Sequence, residues 1–160
     1  RLVMMGAAYP MKVSDALLTM ARDNPMTAID MVNVFSHSGI AAKPSFPGPG
    51  MWLHGSNRAL MRRMLAGAPG LDGSNLFEHD FRVCDRYANG LQAAGKVRCP
   101  VTLVLGERDQ MTTPKYTRDI AQALRAHTVT LPAGHTLMTE APDGVLNALR
   151  EALARPVEHS

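Results

Sequence analysis

Apolar and polar positions along the chain change their rhythm twice. The first residues, Leu2-Val3-Met4-Met5, form a continuous apolar run closed by Gly6-Ala7-Ala8. Such a run predicts a buried strand of a parallel sheet, whose two faces are both covered. From about residue 11 to 95 the pattern turns helical. Ser14 and Asp15 can start a helix that runs to about Arg22. Pro25 opens a second, with Met26, Ile29, Val32 and Val34–Phe35 as its apolar face. Gly39 to Gly50 holds Pro44, Pro47 and Pro49 and predicts irregular structure. Helices are expected again from Ser56 to Leu65 and from about Leu76 to Ala94.

The last block has a third rhythm. Val101-Thr102-Leu103-Val104-Leu105 is strongly β-prone, Pro114 suits the first position of a helix reaching about Ala126, and His127 to Leu131 reads as another strand. Pro142-Asp143 starts a final helix that reaches about Leu153. Strand, helix, strand, helix implies parallel pairing. The expected organisation is therefore a core strand in 1–10, a helical block in 11–95 and an α/β block in 96–160. Three strands make a short sheet with an apolar first edge, and residue 1 is Arg rather than Met. Both features lead us to expect a chain that begins inside a longer protein.

Composition narrows the function. Apolar residues make up 46% and no apolar run is long enough to span a bilayer, so no membrane role is expected. The net charge of +3 is spread out, and aromatics are 5%. Arg58, Arg62 and Arg63 read as a solvated helix face, so no nucleic-acid partner is expected. Cys84 and Cys99 lack metal or disulfide-scaffold spacing and suit reduced thiols in a cytoplasmic protein. Cys84, in a helical pattern without a Gly elbow, is read as a core thiol. His37, His54, His79 and His127 lack paired ligand spacing, so neither metal nor cofactor is expected.

Two ionisable residues follow strand ends. Gly106-Glu107-Arg108-Asp109 succeeds the strand at 101–105, and Ala133-Gly134-His135-Thr136 succeeds the one at 127–131. Ligands of open α/β sheets bind at the carboxyl ends of strands. Taken singly, Asp109 could cap the helix after Pro114 and His135 could be a polar loop residue. Taken together, they are an acid that orients an imidazole and an imidazole that acts as general base.

The segments CPVTLVLGERDQMTTP and VTLPAGHTLMTEAPDGVLNAL resemble the C-terminal part of the α/β-hydrolase family: a G-x-x-D loop, then G-H, then E-x-P-D. RLVMMGAA resembles the strand before that family's cap. The resemblance implies an α/β fold, with about three strands of the hydrolase sheet and residues 11–95 as a mostly helical cap. Family triads run nucleophile, acid, base, which implies Asp109 as acid and His135 as base. No G-x-S-x-G occurs in the chain. His54-Gly55-Ser56-Asn57 is the nearest imitation of an oxyanion loop, and Ser56 is better read as a helix cap. Ser14, Ser36, Ser38, Ser45 and Ser74 have no elbow context either. The nucleophile is expected in an N-terminal half, carried by the same chain or by a separate fragment, and this piece is expected to be inactive alone.

The substrate implied is a small or medium apolar molecule with a carbonyl, an ester or a related compound. Trp52, Met111, Leu137 and Met138 are the candidate contacts. The chain has eleven methionines, which could line an adaptable pocket or simply fill helix cores. Two other readings stay open: a non-catalytic binding protein of the same fold, and a helical interaction module. Assembly into a homo-oligomer is also open.

Overall fold

The computed structural model describes residues 1–67, 70 and 73–156. The expected blocks 11–95 and 96–160 therefore include residues 68, 69, 71, 72 and 157–160, which lie outside the described residues. In chain order the elements are β1 (Leu2–Met5), α1 (Asp15–Asp23), α2 (Pro25–Ser36), α3 (Leu53–Gly67), α4 (Leu76–Arg86) and α5 (Gly90–Ala94). They continue with β2 (Val101–Gly106), α6 (Pro114–Ala123), β3 (His127–Leu131), α7 (Leu137–Glu140) and α8 (Pro142–Ala154). The chain divides into two compact units, Arg1–Tyr9 with Asn89–Ser160 and Pro10–Ala88.

The first unit is built on a parallel sheet of order β1-β2-β3. Leu2 pairs with Val101 and Thr102 with His127. The β-branched and leucine run of β2 is buried along its whole length, as a central strand requires. β1 lies at the edge of the sheet, half-buried with Met5 exposed, which is the apolar first edge expected of a three-stranded piece. Both α6 and α8 pack on β2. Val145, Ala148 and Ala152 form the buried face of α8 and, through the first two, close a core with Val104, Leu131, Ala133 and Leu137. Burial at i, i+3 and i+7 is the stripe expected of a helix lying on a sheet.

Among the described residues, the second unit is built from α1 to α4, with an isolated bridge between Phe46 and Trp52. The Ser14 side chain accepts from Leu17 N and caps α1. Asn24 ends α1 through its own N–H to Met20 O and begins α2 by accepting from Thr27 N. Ile29, Val32 and Ala28 are buried, whereas Val34 and Phe35 are exposed. At about 100° per residue Val34 falls nearly opposite the buried stripe and Phe35 about a quarter turn off it, so the predicted apolar face was drawn too wide.

Three helix boundaries also differ from expectation. α3 begins at Leu53, and Ser56 N donates to Trp52 O, so Ser56 lies inside the first turn and is not the cap. The helix expected over 76–94 is two helices, α4 and α5, interrupted at Tyr87–Asn89. At the restart, a Cβ on Gly90 would lie 2.8 Å from Tyr9 Cε2, so the close approach of the Tyr9 ring requires glycine. α6 ends early because Ala126 N donates to Ala121 O and Arg125 N to Gln122 O, with Arg125 at φ +48. That is a Schellman ending, normally built on glycine. Cys84 is half-buried rather than in the core, and burial pushes its thiol pKa up.

Arg125 is strained in this left-handed conformation. Replacing it by glycine should raise stability by roughly 0.5–1 kcal/mol, the cost of an L-residue there less the added freedom of the unfolded chain. Chemical denaturation of Arg125→Gly checks this, and a lower midpoint would refute the left-handed ending.

Candidate active site

Two backbones meet beyond the ends of β2 and β3. Glu107 N donates to Leu131 O at 2.8 Å and Arg108 N to Ala133 O at 3.0 Å. A Cβ on Gly106 would lie 2.6 Å from Ala133 O and closer still to Gly134 O, so only glycine permits this approach. The loop after β2 is thus laid against the loop after β3, and each delivers one ionisable side chain.

Asp109 is buried, its side chain 1% exposed, and its carboxylate is fully used. Oδ1 accepts from Met111 N and Thr112 N, both at 2.8 Å. Oδ2 accepts from Thr112 Oγ1 at 2.7 Å and faces His135 Nδ1 at 3.0 Å. An ionised carboxylate only accepts, so the hydrogen lies on Nδ1 and Nε2 keeps its lone pair. Burial pushes the Asp109 carboxyl up, but the hydrogen bonds from His135 and Thr112, with the attraction of His135 when it is protonated, outweigh it and leave its pKa below the ordinary value. The alternative role, capping the helix after Pro114, is not seen. Thr113 occupies that cap position and the carboxylate is spent on its own turn and on His135.

His135 is about one-third exposed. Its loop is held by Glu140, whose Oε2 accepts from Gly134 N at 3.1 Å and whose Oε1 accepts from Thr136 Oγ1 at 2.8 Å. Gly6, at φ +56, passes beside the ring: a Cβ there would sit 3.3 Å from Cε1 and Nδ1. The Gly6 carbonyl lies 2.8 Å from Thr112 Oγ1, a second acceptor for the one hydroxyl hydrogen. Thr112, Glu140 and Gly6 were not anticipated as site residues. The hydroxyl three residues after Asp109 was the available signal for Thr112, since Asx and Ser/Thr turns use that spacing.

The other predicted contacts scatter. Leu137 is 1% exposed and packs into the core of the first unit, so its side chain supports α7 and α8 and is corrected from a substrate contact to a core residue. Met138, next to it, is 56% exposed. Met111 follows the acid and gives its backbone N–H to it. Trp52 belongs to the helical unit, where its indole N–H donates to Ala42 O at 3.1 Å and its ring stacks on His54. A Cβ on Gly55 would strike the Trp52 ring, so His54-Gly55-Ser56 is a tight first helical turn and not an anion-binding loop. Met61 and Met64 line a cleft of about 50 Å³ with Leu65, Leu76, Phe77 and Asp80. That is far below the roughly 150 Å³ that admits benzene. Among the described residues no group of three or more His, Cys, Asp or Glu could hold a metal ion, and no helix is long and apolar enough to cross a membrane.

A parallel sheet that carries an acid and a histidine on the loops after adjacent strands is the C-terminal part of the α/β-hydrolase fold. Solved structures support the assignment of fold. The chain is similar to a thermophilic esterase (TM-score 0.70, 23% identity, covering 95% of this chain and 55% of that one). It is also similar to the enol-lactonase from Burkholderia xenovorans (TM-score 0.66, 17% identity, 96% and 55% covered). An esterase from Exiguobacterium antarcticum superposes at TM-score 0.71 with 13% identity, over 96% of this chain and 57% of that one. The chain thus spans little more than half the length of these structures. No protein-family model and no curated protein matches it.

The depressed Asp109 pKa has a definite sign. Its ionisation adds stability that is fully present above the unfolded value of about 3.9 and is lost as pH falls through the lower folded value. The stability gap between the native chain and Asp109→Asn should therefore shrink as pH drops from about 5 towards 2. Denaturation midpoints measured across that range test it, and parallel curves would show that Asp109 is not held ionised.

Proposed function

We propose that the chain is the acid–base half of a hydrolase that cleaves carboxylic esters or related carbonyl compounds through an acyl-enzyme. The observation that carries this reading is the 3.0 Å approach of Asp109 Oδ2 to His135 Nδ1, with the acid buried and the base open. Asp109 fixes the tautomer and stabilises the imidazolium. His135 Nε2 takes the proton of a nucleophile, most simply a serine, as that oxygen attacks the substrate carbonyl. The same nitrogen then returns the proton to the leaving group, and the steps repeat with water. The nucleophile and its oxyanion donors belong to sequence outside these 160 residues, which alone should not turn substrate over. The helical unit takes the part of the cap and supplies apolar surface such as Trp52, with Met111 and Met138 near the acid and base. The esterase and enol-lactonase among the structural neighbours support an ester or a lactone as the substrate class.

The test is hydrolysis of p-nitrophenyl acyl esters, with fluorophosphonate labelling, by the protein at its natural length. His135→Ala should lower kcat by about 10³-fold or more and abolish labelling, with Asp109→Asn nearly as severe. Ester turnover that survives His135→Ala, or a natural chain without a nucleophile elbow, would overturn the proposal and leave a binding protein of the same fold.

A further inference from the structure

Asp109 alone would suffice to hold a histidine, yet a third group completes a triangle with the pair. Thr112 Oγ1 lies 2.7 Å from Asp109 Oδ2, 2.8 Å from Gly6 O and 3.2 Å from His135 Nδ1. A hydroxyl has one hydrogen and two lone pairs. Of its two acceptors, the ionised carboxylate makes the stronger, charge-assisted bond, so the hydrogen goes to Oδ2. A lone pair of Oγ1 then faces Nδ1. The Oδ2 atom has two lone-pair directions, one now filled by the hydroxyl. Oδ1 is filled by the Met111 and Thr112 amides. A single direction on the carboxylate remains, and Nδ1–H enters it.

We propose that Thr112 is the positioning residue of the acid–base pair: its hydroxyl fills one side of Asp109 Oδ2 and accepts the off-line share of the His135 Nδ1–H bond. The catalytic meaning of this rests on the function proposed above, whereas the hydrogen bonding does not. With the hydroxyl present the ring has one orientation that satisfies Nδ1–H. Without it, Oδ2 offers two directions and the ring can rock between them, carrying Nε2 off its line to a nucleophile. Valine keeps the branched shape of threonine and removes the hydroxyl, and serine keeps the hydroxyl alone. The two substitutions therefore separate hydrogen bonding from packing.

The measurement is proton NMR of the His135 ring in the protein at its natural length, with ester turnover alongside. In the native protein Nδ1–H should appear as a downfield proton protected from exchange. In Thr112→Val it should exchange about tenfold faster, the scale of one lost hydrogen bond, and Thr112→Ser should restore protection. In the turnover assay Thr112→Val should lose roughly ten- to hundredfold in kcat with KM held, and Thr112→Ser should recover it. Should the valine variant fail to fold, Thr112→Ala gives the same reading. A folded variant lacking the hydroxyl, with Nδ1–H as protected as in the native protein, overturns the positioning role. Failure of the hydrolase reading is a separate result: turnover indifferent to His135→Ala, with the ring proton still sensitive to Thr112.

Discussion

The closeness of two backbones at Gly106 is the constraint on which the candidate site depends. The chain leaving β2 and the chain leaving β3 exchange hydrogen bonds at Glu107 and Arg108, and no side chain fits between Gly106 and the carbonyls of Ala133 and Gly134. Asp109 and His135 are 26 residues apart in sequence, yet three residues beyond Gly106 and four beyond Leu131 suffice to bring them within a hydrogen bond. A methyl group at Gly106 would force these loops apart. The acid and base would then be present in composition but absent in geometry.

Burying a carboxylate is costly unless its lone pairs are filled. Asp109 meets this condition with two backbone amides, one hydroxyl and one imidazole. Three of these four donors come from residues 111 and 112, so the turn is built around the charge before the histidine arrives. The carboxylate thus stays ionised inside the protein, which is what an imidazole needs from a partner that stabilises its charged form. Glu140 does the matching work on the other loop, tying Gly134 and Thr136 to the start of α7.

Much of this was legible in the residues because the relevant signals are local. The β-branched run of β2, Pro25 and Pro114 at helix starts, Ser14 as a cap, and Asp109 and His135 just past strand ends all declare themselves within a few positions. What escaped depends on contacts between distant residues. Leu137 looks like a substrate contact because it follows His135, but the short turn of α7 directs it into the core against Val104 and Val145. Ser56 looks like a cap, but Trp52 lies against Gly55 and starts the helix sooner. Arg125 carries no glycine signal, yet it ends α6 in a left-handed conformation. The Thr112 hydroxyl lies within hydrogen-bond distance of Gly6 O, 106 residues away in sequence, as well as of His135. No window on the sequence sees that pairing.

The hydrogen bonds described at Asp109, Thr112, Gly134 and His135 join residues of the unit formed by residues 1–9 and 89 onward. The helical unit is organised by its own caps at Ser14, Asn24 and Asn75 and by its own buried Asn33. The orientation of the His135 ring is thus set by the loops that follow β2 and β3. Groups carried on a sheet and the short loops at its strand ends are held more closely to one geometry than groups on long free loops, which is why the pair sits where it does.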